Sequence, residues 1–296
     1  MKIRLISGSC YIALLAAFYC LKIFVHDYCF DALIYFFALM GTFEMLRAMK
    51  DKTTKAEKAL VFAFAAVCIP ACAICEERYG YGIEVVGICV FVLAVALLSL
   101  LVAKHEETTP ENLGVALLSA VYPTLLLAML VLANHLPVNP KLEYLALDSR
   151  LMVLLIFIVS PCADSIAYVF GRFLKKFFPK KMAPNISPNK TVIGGIGGLV
   201  GGMLGAAVLY FIYNATVVGE FLDMQIWLPV YIGVGLLAAI TTAFGDLVES
   251  CIKRKVDLKD MGKIMPGHGG VLDRIDGTLF ATIAVYVVFT LIHTFY

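Results

Sequence analysis

Charged side chains are scarce in this sequence. Aspartate, glutamate, lysine and arginine together make up 16% of 296 residues, while hydrophobic residues reach 61% and mean hydropathy is +0.89. Ordinary soluble domains are only about 45–50% apolar, so a water-surrounded globule is excluded. Paired cysteines are lacking too. The nine cysteines are odd in number and fall mostly inside apolar runs, which argues against a disulfide framework. Cys72 and Cys75 make a C-x-x-C with Cys68 one turn before, but on an apolar segment they read as small packing residues. There is no low-complexity tail, no internal repeat and no soluble insert. Any chemistry must therefore lie in the membrane and its short loops.

What is present is a series of apolar runs long enough to cross a bilayer, for which about 20 residues suffice. They fall at about 5–25, 28–46, 58–75, 83–103, 113–133, 151–171, 192–213, 227–249 and 271–295. The expected fold is an all-α polytopic membrane protein of about nine transmembrane helices. The first run follows Lys2 and Arg4 but is too long for a signal-peptide core and lacks a small-residue cleavage site, so it reads as a span.

Basic residues collect in alternate connections: Arg47 to Lys58, Lys104, Arg172 to Lys190, and Lys253 to Lys263. The other connections hold only Arg78, Lys141 and Arg150. This asymmetry predicts a cytoplasmic N-terminus. Residues 1–150 read as a hydrophobic transmembrane scaffold, in which Glu44 looks like a snorkelling helix-end charge. The connection 134–150, with Pro137 and Pro140, reads as an irregular loop. Residues 151–296 read as the catalytic transmembrane region with cytoplasmic active-site loops.

In that second half the apolar pattern is broken by acids. Asp164 falls roughly 10 Å inside the end of its span, where a carboxylate needs a partner or a wet cavity. Pro161 can open the helix locally, and Tyr168 shares the face of Asp164 at i, i+4. Ser187 and Lys190 precede the glycine-rich start of the next span, a plausible phosphate cradle because helix N-termini present free N–H groups. The glycines at 194, 198 and 202 and at 197, 201 and 205 read mainly as ladders for close helix packing in lipid.

Asp246 lies near the end of the eighth span. After a basic loop, the glycine-rich turn 266–270 leads into Asp273 and Asp276, which are i, i+3 neighbours near a helix start. Such carboxylates repel in a low dielectric unless a divalent cation joins them. Hard oxygen donors suit Mg²⁺, which completes its shell with water and substrate phosphates. Lys253, Arg254 and Arg274 would then neutralise the rest of a polyphosphate.

The run from Ser250 through Lys253-Arg254, Lys259-Asp260, Gly262, Pro266-Gly267-His268-Gly269-Gly270 and Asp273-Arg274-Ile275-Asp276 closely resembles the signature of the phosphatidate cytidylyltransferases. The likeness extends back to Asp164 through Arg172 and to Ser187-Pro-Asn-Lys190-Thr191. The resemblance implies transfer of CMP from CTP to phosphatidic acid with release of pyrophosphate, in a dimeric multi-pass protein of the plasma membrane working on its cytoplasmic side.

Carried over, it makes Asp246 and Asp273 the Mg²⁺ ligands, with a second cation conceivable and Asp276 a ligand or supporting partner. Lys253, Arg254 and His268 join the catalytic set; Ser187, Lys190, Asp164, Tyr168, Arg172, Arg274, Gly269 and Gly270 join the substrate-binding set. CTP, phosphatidic acid, membrane lipids and a second copy of the chain are the implied partners, and nucleic acid is not. Two positions depart from the family pattern: Ile193 stands where a glutamate is usual, and Asn189 where a basic residue is common. A CTP-dependent lipid kinase is the alternative enzyme, and a transporter using Asp164 and Asp246 the alternative of another class.

Overall fold

The computed structural model describes residues 2–136, 148–218 and 223–295. Of the expected irregular connection, 137–147 lies outside the described residues. Among the described residues, nine helical segments are long and apolar enough to cross a membrane: Ile6–Phe24, Asp27–Ala48, Lys55–Tyr79, Gly82–Ala103, Pro110–Asn134, Ser149–Phe173, Val192–Thr216, Met224–Lys255 and Leu272–Phe295. This is the all-α polytopic membrane protein that the apolar runs predict.

The helices are α1 (Lys2–Phe24), α2 (Asp27–Ala48), α3 (Lys55–Tyr79), α4 (Gly82–Ala103), α5 (Pro110–Ala120), α6 (Leu126–Asn134), α7 (Ser149–Phe173), α8 (Val192–Tyr213), α9 (Met224–Lys255) and α10 (Leu272–Phe295). A two-stranded antiparallel ribbon, β1 (Lys181–Ala183) and β2 (Ser187–Thr191), precedes α8. The chain forms two compact units, neither continuous in sequence: Met1–His135 with Lys255–Ile275, and Leu136–Arg254 with Asp276–Tyr296.

In the first unit, local sequence sets the helix ends. Thr54 caps α3 by accepting from Glu57 N, while Glu57 accepts from Thr54 N at 2.7 Å, a reciprocal capping box. The fifth span is one rod in two pieces, α5 and α6, joined by a π-helical turn over Val121–Leu125. Pro123 lies in that turn and has no N–H to donate, so the regular ladder lapses there. Phe30, Ile34, Phe37, Ile69, Leu127 and Leu130 fill the core between these helices.

Glu44 corrects the sequence reading. It does not snorkel at the end of α2: it is fully buried, and its carboxylate accepts hydrogen bonds from Val271 N at 3.1 Å and Leu272 N at 2.9 Å.

In the second unit, α7 runs unbroken through Pro161. The glycine ladders of α8 pack as expected. A Cβ at Gly202 would meet the Gly235 carbonyl oxygen of α9 at 2.7 Å and Ala239 Cβ at 2.5 Å, so the two backbones are in near contact. Helix α9 continues to Lys255. Lys253 and Arg254, which read from sequence as loop residues, are on its last turn.

Candidate functional site

Five of the expected residues share one cavity. In the second unit, a space of about 660 Å³ is lined by Asp164, Tyr168, Arg172, Lys190 and Asp246 together with small residues such as Gly194. Helix α7 supplies the first three at i, i+4 and i+8, so they form one stripe. Arg172 Nη1 donates to the Tyr168 hydroxyl at 2.7 Å, and its guanidinium lies 5.9 Å from the ring centroid. Strand β2 supplies Lys190, whose ammonium pairs with Asp246 of α9. Thr191, the next residue, caps α8 by accepting from Gly194 N at 3.1 Å. The ribbon therefore does two jobs that the loop reading missed: it starts α8 and aims Lys190 at Asp246.

Around Asp246 the charges alternate. Asp276 hydrogen-bonds Glu249 and faces the charges of Asp246 and Lys253. Lys253 donates to Glu249 Oε2 at 2.6 Å, and Ser250 donates to Asp246 at 3.4 Å. Close backbone approach makes this possible, since a Cβ at Gly245 would meet the Asp276 carbonyl oxygen at 2.6 Å. Glu249, fully buried, is a site residue that motif reading passed over. Its signal was available: a glutamate one turn after Asp246 inside an apolar helix is costly unless partnered. Arg254 Nε donates to the Ile186 carbonyl oxygen at 3.4 Å, bracing the ribbon turn beside Ser187. Ser187 pairs with Ala183 in the ribbon and does not line the cavity. Asn189 lines it; Ile193 is half-buried on the first turn of α8 and does not.

Asp273 belongs to the first unit, and its surroundings are described there. Its Oδ2 accepts from Met261 N and Gly270 N, both at 2.8 Å, and from Gly262 N at 3.4 Å. The loop before α10 is folded onto this oxygen. Gly269 holds φ +91°, in the left-handed region that favours glycine, and a Cβ there would meet Asp273 Oδ2 at 2.6 Å. A Cβ at Gly262 or Gly270 would run into the Glu44 carboxylate. Arg47, one turn after Glu44, donates to the Met261 carbonyl oxygen at 2.9 Å.

The amides of Gly270, Val271 and Leu272, which a glycine-rich helix start offers to anions, are thus occupied by the chain's own carboxylates. His268 shares a hydrogen bond of 2.7 Å with Ser7 of α1 through Nδ1. A second space, about 440 Å³, is lined by Lys259, Asp260, Lys263, His268, Gly269 and Arg274.

The donor chemistry fits a hard divalent cation. Asp246 and Asp276 of the second unit offer carboxylate oxygens, and Lys190 already occupies a cation's place against Asp246. At Asp273, Oδ2 is committed to backbone amides, so ligation would fall to the other oxygen.

The second unit of this multi-pass membrane protein thus gathers carboxylates, lysine and arginine around one cavity. The sequence profile described as "Cytidylyltransferase family" matches residues 2–292, and the chain belongs to that family. It is similar to proteins named "Phosphatidate cytidylyltransferase". One from Staphylococcus aureus is 41% identical over 129 residues, 43% of this chain and 45% of that protein. One from Staphylococcus haemolyticus is 40% identical over 133 residues, 45% and 46% of the two chains. One from Thermotoga maritima is 40% identical over 130 residues, 44% and 45%. The matched segment thus spans a little under half the length of these relatives.

Proposed function

We propose that this protein transfers CMP from CTP to phosphatidic acid, giving CDP-diacylglycerol and pyrophosphate. The observation that carries the reading is the single cavity holding Asp164, Tyr168, Arg172, Lys190 and Asp246, in a member of the cytidylyltransferase family whose relatives bear the name phosphatidate cytidylyltransferase. A phosphomonoester with second pKa near ~6 is largely ionised at neutral pH, so its oxygen can attack the α-phosphorus of CTP in line without a strong base. Positioning and charge neutralisation do most of the work in such transfers.

The chain's own residues meet that need. Lys190, on the cavity wall, would bind phosphate oxygens. Arg172, steadied by Tyr168, lies within reach of the same cavity. Lys253, held by Glu249, orders the acidic cluster, while Arg254 braces the ribbon that carries Lys190. His268 and Arg274 shape the loop before α10. A bound Mg²⁺ would polarise phosphate oxygens and offset charge on the leaving pyrophosphate. Asp246 and Asp273 are its proposed ligands on the motif alone, each to be tested separately, with Asp276 supporting.

The proposal includes a plasma-membrane location, a catalytic face on the cytoplasmic side set by the lysine and arginine asymmetry, and assembly as a homodimer. Light scattering of the detergent-solubilised protein reads the last of these directly.

The decisive experiment supplies mixed micelles of phosphatidic acid and Mg²⁺ with CTP labelled separately in cytidine and in the γ-phosphate. Cytidine label in lipid with γ-label in pyrophosphate is expected. Label from the γ-phosphate in lipid would make the protein a lipid kinase, and no turnover would overturn both.

A further inference from the structure

The first unit holds a second group of charged residues, about 26 Å along α2 from Glu44 at 1.5 Å per residue, and the chemistry above makes no use of it. It gathers the last turn of α1, the first turn of α2, the end of α3 and the residue after α6. Lys22, almost fully buried, pairs with Asp27 and donates to the Asn134 carbonyl oxygen at 2.9 Å. Asn134 Nδ2 donates to Asp31 at 2.9 Å. His135 stands between two acids: its Nε2 is 2.6 Å from Asp31 Oδ2 and its Nδ1 is 2.6 Å from Glu77 Oε2.

We propose that Asp27, Glu77 and His135 form a binding site for a divalent transition metal, Zn²⁺ being the best match, separate from the catalytic acids. Three observations carry it. First, one donor atom from each of the three residues lies within 4.8 Å of the others. Four-coordinate zinc with bonds near ~2.0–2.1 Å spaces its donors about 3.4 Å apart, so side-chain rotations of about an ångström close the set.

Second, a neutral imidazole has one N–H and one lone pair, yet both ring nitrogens of His135 face a carboxylate. One of the two contacts then sets a lone pair against a carboxylate oxygen, a mismatch that a metal at that nitrogen would relieve.

Third, Asp27, Asp31 and Glu77 bring three acids together beside Lys22, with His26 Nε2 3.8 Å from Glu77 Oε1, an acid-rich group in which a dication would be accommodated. The buried Oδ1 of Asn134 beside them accepts no hydrogen bond.

With metal on Nδ1, Asp31 would hold the opposite nitrogen, the outer carboxylate that metal-bound histidines commonly have. Glu77 is about a third exposed, which leaves a way in. A histidine donor favours zinc over Mg²⁺ or Ca²⁺. His26 accepts from Tyr28 N through Nδ1 at 3.2 Å and its Nε2 lies 3.8 Å from Glu77 Oε1, so His26 or water would supply the fourth position. This proposal does not rest on the cytidylyl-transfer reading.

The test uses the full chain in detergent after EDTA treatment, carrying Asp246→Asn so that the catalytic acid cannot report. Calorimetric titration with Zn²⁺ alone should show one equivalent bound at micromolar Kd, and Co²⁺ in its place should give the visible absorption of a four-coordinate ion. Glu77→Gln and His135→Gln should each abolish that band, and Asp31→Asn should weaken binding about 10- to 100-fold. Glu77→Gln, at a partly exposed position, serves as the variant that keeps its fold, checked by an unchanged metal-free melting temperature. No saturable binding below about 1 mM, a Kd near −4 kcal/mol of affinity, would overturn the proposal. Binding untouched by Glu77→Gln would do the same.

Discussion

Glu44, in the last two turns of α2, accepts the backbone N–H of Leu272, the first residue of α10, at 2.9 Å. A carboxylate from the hydrophobic first half of the chain thus serves as the N-terminal cap of the helix that carries Asp273. Helix starts leave four N–H groups without an intrahelical partner, and an anion there also meets the positive end of the helix dipole. Glu44→Ala should leave the Val271 and Leu272 amides buried and unsatisfied, at about 1–3 kcal/mol, while Glu44→Gln should retain part of the effect. Thermal unfolding of both variants in the same detergent measures it; equal melting temperatures for Glu44→Ala and the parent would remove the capping role.

Asp246 and Lys190 form the ion pair at the cavity. Asp246→Asn should lower CMP transfer by on the order of 10²–10³-fold, the size usual when one preorganised electrostatic group is removed from an active site. Lys190→Ala should act chiefly on KM for CTP, with Lys190→Arg recovering part of it. Steady-state kinetics at saturating phosphatidic acid separate the two, and full activity in Asp246→Asn would end its assignment as a ligand.

Gly269 has both a positive φ of 91° and a carboxylate against its missing Cβ. Gly269→Ala should therefore cost about 1–2 kcal/mol in backbone strain and push Asp273 from its amide cradle, lowering activity beyond the loss of stability. Gly233→Ala in α9, where nothing lies within 4 Å of an added Cβ, is the matched control. It should be neutral or slightly stabilising, because alanine is the better helix former.

Gly202 and Gly235 meet backbone to backbone where α8 crosses α9. Gly202→Leu should separate the helices and so move β2, Lys190 and Asp246 apart. The expected result is loss of activity with retained membrane insertion and a protease-sensitive second unit. Wild-type turnover in this variant would show that the site does not depend on the crossing.

The sequence by itself determined the spans and pointed to Asp164, Tyr168, Arg172, Lys190 and Asp246, which line one cavity, but not to Glu249. Long apolar runs have no other stable destination than a bilayer, and acids within them are costly enough to advertise themselves. Asp164 and Tyr168 could be placed on one face from helical spacing alone, and the glycine ladders from their period. Helix ends were less legible: α9 runs on to Lys255, because basic residues that look like loop are also good last-turn helix residues.

What only the tertiary structure decided is which polar group meets which. Nothing local to Glu44 marks it as the cap of a helix 228 residues further along the chain. Nor does anything local bring His135 between Asp31 and Glu77. The ribbon that turns Lys190 toward Asp246, and the commitment of the Gly270 amide to Asp273, arise in the same way. Hydropathy and periodicity report how a residue faces its own helix. Partnership between buried charges depends on helix crossings, which the packing of distant small residues fixes.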